Sequence, residues 1–142
     1  MQSIDMTSHS RAIRLASFNM RGANNTPAAL LFDAFDDVDV VLLQEHWLHE
    51  DNVNTLKTAL PQHSIYLKTG FDTELPRTRG RPSGGVGFCV KKIPYKRIPT
   101  DSRRVQAILL DVSGTDLLLI NVYMPFDRHS AESLAEFSDS VH

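Results

Sequence analysis

The chain has 142 residues, 42% hydrophobic and 23% charged, which fits one globular domain with a buried core and excludes a fibrous or wholly disordered protein. No apolar run approaches the roughly 18 residues of a membrane span, so we expect no membrane partner. The formal net charge of −2 hides an asymmetry, because nine basic residues and one acid lie between Arg77 and Arg104.

The first half of the chain alternates predicted strands and helices after a polar amino terminus, residues 1–12, which we expect to be disordered. The nearly continuous apolar run at residues 38–43 is typical of a central buried strand. Gly22 permits a turn after the first strand, and Pro27 can open the first helix. The predicted elements are a strand at 13–18, a helix at 28–35, a strand at 38–43, a helix at 52–60 and a strand at 63–68.

The second half begins with a long loop rich in glycine and proline at residues 70–85, and loops of this length are usually functional or disordered. Three strands are predicted to follow, at 86–91, 105–112 and 117–123. The turn Ser113-Gly114 suits an antiparallel hairpin between the last two. Cys89, in a buried-strand setting, favours an intracellular compartment, nuclear or cytoplasmic.

An amphipathic helix is predicted from Ser130 onward, with Ala131, Leu134, Ala135 and Phe137 on its apolar side, and the chain stops within it at His142. We therefore expect residues 13–142 to be the amino-terminal part of a longer domain. A sheet built to pack against a missing partner would expose an apolar face, which predicts self-association.

The order of elements predicts an α/β protein with a mixed sheet, in which two crossover units precede a meander. Ligands of open α/β sheets gather at the carboxyl ends of strands. Asn19, Glu45 and Tyr123 each fall just past such an end. We therefore expect these three residues to converge on one rim.

Glu45 is the residue with the clearest possible chemistry. A buried strand delivers its carboxylate to the edge of the sheet. Mg²⁺ is usually held by one or two carboxylates, several waters and substrate phosphate oxygens, so Glu45 is a candidate ligand. Strands also often end in polar residues without any function, and this single position does not separate the two interpretations.

Four segments in order resemble the endonuclease/exonuclease/phosphatase family: Ser17-Phe18-Asn19-Met20-Arg21-Gly22, Gln44-Glu45-His46-Trp47-Leu48, Ser83-Gly84-Gly85-Val86-Gly87 and Asn121-Val122-Tyr123-Met124-Pro125. The resemblance spans about residues 14 to 126. It is strongest to the apurinic-type endonuclease domains of non-LTR (LINE-like) retrotransposons, through the second and fourth segments.

The resemblance implies a DNase I-like four-layer α/β sandwich of two packed sheets, of which this chain would hold the amino-terminal part. It also implies hydrolysis of DNA phosphodiester bonds with Mg²⁺, or Mn²⁺ in its place. Glu45 matches the family's metal-binding glutamate, Asn19 its active-site asparagine, and Tyr123 the tyrosine that faces the scissile phosphate. Taken alone, Asn19 could be a turn residue and Tyr123 a half-buried strand aromatic.

Two departures limit what the resemblance carries over. Repair enzymes of the family place an aspartate where this chain has Arg21, which weakens a role in DNA repair. The family's later segments, which supply further acids and the catalytic histidine, have no counterpart in these 142 residues. Water attack needs a proton acceptor, so we expect the chain by itself to be inactive.

Other residues allow competing interpretations. His46 and His49 could suggest zinc, but without a third ligand we expect them to cap a strand and face solvent. Trp47 could stack on a base or anchor the strand end. The acidic residues Asp33, Asp36, Asp37 and Asp39 lack calcium-loop spacing and suit a helix-to-strand turn.

The basic middle predicts contacts with DNA phosphates, although solvated loops would carry the same charges. The residues assigned to DNA are Arg21, Arg81, Arg103 and Arg104. Two alternatives to an endonuclease remain: a non-catalytic remnant that keeps a nucleic-acid-binding surface, and a family member that acts on a phosphoinositide or another phosphoester.

Overall fold

The computed structural model describes residues 12–70 and 84–124, which form a mixed α/β fold with two sheets. In chain order the elements are β1 (Leu15–Asn19), α1 (Ala28–Phe35), β2 (Val40–Gln44), α2 (Asn54–Ala59), β3 (His63–Lys68), β4 (Val86–Lys91), β5 (Tyr95–Ile98), β6 (Val105–Val112) and β7 (Thr115–Val122). Short 3₁₀ turns lie at Ala23–Asn25 and Glu50–Asn52. No helix in this part of the chain is long and apolar enough to cross a membrane.

The first sheet has the strand order β1-β2-β4-β3, with β1 parallel to β2 and the other pairs antiparallel. The second sheet, β5-β6-β7, is antiparallel throughout. The prediction of one mixed sheet was therefore incomplete. The reason is that β4 is buried along Val86–Val90, so it suits the centre of the first sheet and leaves the later strands to form a second layer.

Alternation along β2 and β4 explains why both strands are apolar on two faces. Val41 and Cys89 face a core cluster that includes Leu31 of α1 and Leu56 of α2. Neighbouring residues on these strands face the second sheet, in a cluster made of Val40, Phe88, Val90, Ile93, Ile108 and Leu110. The first sheet is therefore covered by helices on one side and by the second sheet on the other.

Strand β5 was missed in the sequence. Its four residues lie between Pro94 and Pro99 and include Lys96 and Arg97, so they look like a charged loop. The structure gives them a partner in β6, which pairs with β5 through backbone hydrogen bonds. Short length, charge and flanking prolines are features of a protected edge strand.

The predicted hairpin between β6 and β7 is confirmed. Ser113 and Gly114 both have positive φ values, 54° and 85°, which is the requirement of a type I′ turn. The backbone N–H of Gly114 also donates to the carboxylate of Asp111 at 2.9 Å. Of the acidic residues expected in a helix-to-strand turn, Asp36, Asp37 and Asp39 lie between α1 and β2, whereas Asp33 lies within α1. Arg14, just before β1, pairs with Asp37 at 2.8 Å.

The outer face of the second sheet exposes apolar side chains. On β7, Leu118, Ile120 and Val122 are 52%, 53% and 39% exposed. The loop predicted at 70–85 and the helix predicted from Ser130 fall mainly or wholly outside the described residues, as does the amino terminus before Ala12.

Candidate active site at the carboxyl ends of β1, β2 and β7

Glu45 follows the last residue of β2 in an unusual backbone conformation. Its φ is 54°, in the left-handed region that residues other than glycine rarely adopt. Its N–H donates to the Gly85 carbonyl at 2.8 Å, and its own carbonyl accepts from the Gly22 N–H at 2.8 Å. Backbone bonds on both sides thus hold the turn that presents the carboxylate at the rim.

Two glycines allow this turn to pack closely. A Cβ on Gly85 would lie 2.4 Å from the His46 ring, and one on Gly22 would lie 2.3 Å from the Trp47 ring. Both glycines also have positive φ, 98° and 99°. Trp47 therefore serves as an anchor beside the strand end, one of the two roles considered for it.

His46 lies inside the protein, so the expectation that it faces solvent was wrong. It is fully buried, its Nδ1 accepts from the Leu48 N–H at 2.9 Å, and its Nε2 lies 3.1 Å from the Lys68 carbonyl and 3.2 Å from the Val86 carbonyl. These partners place the proton on Nε2. Burial lowers the pKa of His46, so the ring is neutral and structural, while His49 is half-buried.

Tyr123 contacts Glu45 directly. The Tyr123 hydroxyl donates to Glu45 Oε1 at 2.7 Å and connects two residues 78 apart in sequence. Burial, together with the hydrogen bond to Glu45 and its negative charge, raises the pKa of Tyr123 to about 12, against the effect of Arg104. The phenol therefore stays protonated at neutral pH and acts as a donor, while Glu45 has a second oxygen for another ligand.

Asn19 lies at the same rim, but its side chain hydrogen-bonds to a neighbouring backbone group and not to Glu45. It is the last residue of β1, is exposed, and pairs in register with Gln44. Its side-chain Oδ1 accepts from the Arg21 N–H at 3.1 Å, the geometry of a turn asparagine. Within the described residues, Asn19 makes no hydrogen bond to Glu45 or Tyr123.

One of the predicted DNA-binding arginines, Arg104, contacts Tyr123. The guanidinium of Arg104 lies 5.6 Å from the centre of the Tyr123 ring, and the Arg104 carbonyl accepts from the Tyr123 N–H at 2.9 Å. Arg103, which precedes Arg104 in sequence, is exposed, and Arg21 is exposed in the turn after β1. Arg81 lies outside the described residues.

The basic middle of the sequence does not form one surface among the described residues. Lys91 ends β4 at the opposite end of the first sheet from Glu45, and its Nζ donates to the Asp36 carbonyl at 2.6 Å. Arg97 stacks over the Tyr66 ring at 4.2 Å. Of the described basic run, Arg104 contacts Tyr123, and Arg103 precedes it in sequence.

The structure also reveals two polar residues that sequence reasoning had not assigned to the site. Gln44 and Asn121 hydrogen-bond to each other between the two sheets, directly behind Glu45 and Tyr123. A signal was available, because Asn121 interrupts the apolar run of β7 at a position that shares a face with Tyr123.

No model of a known protein family and no curated protein sequence matches the chain.

Proposed function

We propose that this chain carries the amino-terminal part of a Mg²⁺-dependent DNA endonuclease of the retrotransposon type, with a DNase I-like sandwich architecture. The hydrogen bond between Tyr123 and Glu45 supports this proposal most strongly. It brings the second and fourth resembling segments together, although they are distant in sequence and belong to different sheets.

The rim offers one carboxylate to a magnesium ion. One carboxylate is within the usual number for Mg²⁺, and Glu45 is half-buried at an edge where water and phosphate oxygens could complete the shell. When bound, the ion would act as a Lewis acid toward a phosphate oxygen. Glu45 would hold it, and Tyr123 would donate a hydrogen bond to the same carboxylate or to developing phosphate charge.

Metal binding at Glu45 tests the proposal without requiring turnover. We expect Mn²⁺, a paramagnetic substitute for Mg²⁺, to broaden the backbone NMR signals of Asn19, Glu45 and Tyr123, and Mg²⁺ to reverse the broadening. Glu45→Gln should abolish it because the anionic ligand is lost. Glu50→Gln, which changes an exposed acid nearby, is the matched control and should leave it unchanged. Equal broadening in wild type and Glu45→Gln would exclude Glu45 as the ligand.

A second candidate function is nucleic-acid binding without catalysis, favoured by Arg104, which lies over the Tyr123 ring, and by exposed Arg103 next to it in sequence. Phosphate contacts release counterions, so affinity for duplex DNA should fall steeply with salt. We expect Arg103→Gln to weaken binding several-fold and to reduce the salt slope by about one unit. Lys96→Gln, on exposed β5, is the control for loss of charge alone. Fluorescence anisotropy at several salt concentrations measures both, and an absence of binding at low salt would remove this function.

A further inference from the structure

A buried hydrogen-bond network joins the two sheets behind the candidate site. Asn121 is 1% exposed, and its Nδ2 donates to the Leu43 and Gly87 carbonyls at 2.9 Å each. Its Oδ1 accepts from Gln44 Nε2 at 2.9 Å, and Gln44 Nε2 also donates to the Ser17 hydroxyl at 3.1 Å. One side chain of the second sheet thus bonds to two adjacent strands of the first, β2 and β4.

The network is adjacent in sequence to both partners of the Glu45–Tyr123 contact. Gln44 immediately precedes Glu45, and Asn121 lies two residues before Tyr123. Residues two apart in a strand share a face and are separated by roughly 7 Å. Fixing Asn121 on the first sheet therefore leaves Tyr123 little freedom relative to Glu45.

We propose that the Gln44–Asn121 amide pair positions the candidate site, because it sets where β7 lies on β2 and so holds the Tyr123 hydroxyl against the Glu45 carboxylate. This inference rests on the proposed function, since it assigns positioning residues to that same site. Gln44 and Asn121 are positioning residues and contact neither metal nor substrate.

The apolar core between the sheets has no directional bonds that would fix the position of one sheet relative to the other. Contacts among residues such as Phe88 and Ile108 depend on buried area and tolerate small sliding movements of one sheet over the other. An amide does not tolerate them, because a buried donor or acceptor without a partner is costly. Both Nδ2 donors and the Oδ1 of Asn121 are satisfied only when β7 has its observed position.

Gln106 provides a matched comparison within the same interface. It pairs with Asn121 across β6 and β7, is fully buried, and donates from Nε2 to the Tyr66 carbonyl at 3.0 Å. It therefore also connects the sheets through an amide, but to β3 rather than to β2, the strand that carries Glu45 at its end. If such amides only stabilise the sandwich, loss of Gln106 and loss of Gln44 should have similar effects on Tyr123.

The test measures the contact between Tyr123 and Glu45 by NMR at neutral pH, as the nuclear Overhauser effect between the Tyr123 ring protons and the Glu45 side chain. In wild type this effect should be strong, because the phenol donates to Glu45 Oε1 at 2.7 Å. Gln44→Met and Asn121→Leu should weaken it several-fold, because the phenol leaves Glu45. Gln106→Met should leave it unchanged, and the effect between the rings of Phe18 and Phe35, whose centroids are 5.4 Å apart, serves as the internal reference.

Each outcome bears on one of the two proposals. An effect of wild-type strength in folded Gln44→Met, or an equal loss in Gln106→Met, would overturn the positioning role. Gln44→Met removes only one partner of the network, so it decides the matter if Asn121→Leu does not fold. The measurement needs no metal, so failed Mn²⁺ binding together with the expected loss of the Tyr123–Glu45 contact in the variants would reject the proposed function alone. Mn²⁺ binding at Glu45 without that loss would reject the positioning role alone.

Discussion

Gly85 has no side chain that could take part in a reaction, but the absence of a Cβ lets the turn at Glu45 pack against His46. We expect Gly85→Ala to destabilise the protein by about 2–5 kcal/mol, because the new methyl group would overlap the His46 ring and the residue has a positive φ. Gly114→Ala is the control, since Gly114 also has a positive φ but nothing lies within 4 Å of its added Cβ. Its cost should be about 1–2 kcal/mol, from backbone strain alone. Urea unfolding measures both, and equal losses would contradict the close contact.

His46 should make stability depend on pH in the acid range. Burial lowers its pKa below the ordinary 6.5, so below about pH 6.5 the unfolded chain takes up a proton that the folded chain does not. Stability from this residue is thus present above pH 6.5 and is lost as the pH falls. His63, whose pKa burial also lowers, acts in the same direction.

Replacing His46 distinguishes its contribution to the pH dependence of stability from that of His63. We expect His46→Gln to be less stable at pH 7, because Leu48 loses its acceptor, and to lose less stability than wild type between pH 6.5 and 5. His63 contributes its own share in both proteins. Urea unfolding across this range measures the difference, and a parallel decline in both proteins would show that His46 is not the buried neutral group.

At the scale of secondary-structure elements, the sequence predicted the strands and turns that local residue patterns determine. The apolar run before Glu45 and the turn at Ser113-Gly114 identified β2 and the hairpin, because burial and φ requirements act within a few residues. Strand β5 was not predicted, since its basic residues form a strand only by pairing with β6. Which strands share a sheet also depends on pairings distant in sequence, so the residue patterns did not show the division into two sheets, which only the family resemblance implied.

The candidate site was predictable to a similar extent. Strand ends indicated that Glu45 and Tyr123 would lie at a rim, but not that their side chains would touch across two sheets. The same reasoning placed His46 in solvent, because a polar residue after a strand usually faces water. Its burial depends on carbonyls of β3 and β4 that accept from its ring, which no local pattern reports.

For the whole molecule, the exposed face of β7 predicts self-association. Exposed apolar side chains on one face of a strand are a common site of protein contact, and β7 has no strand beside its second edge among the described residues. We expect sedimentation velocity to show mass increasing with concentration, and Ile120→Lys to shift the protein toward monomer. Leu15→Lys, at a similarly exposed residue on β1, is the control and should not. A wild-type monomer at all concentrations would contradict the prediction.

The contact between Tyr123 and Glu45 also has a consequence for the order of folding. The backbone hydrogen bonds that hold the Glu45 turn join it to Gly22 and Gly85, 23 and 40 positions away, whereas Tyr123 and Glu45 are 78 positions apart. Closing the longer loop costs about 0.6–1 kcal/mol more chain entropy. We therefore expect the turn carrying the carboxylate to form early and its phenol partner to arrive late, so that Tyr123 would report the last step of assembly in a refolding experiment.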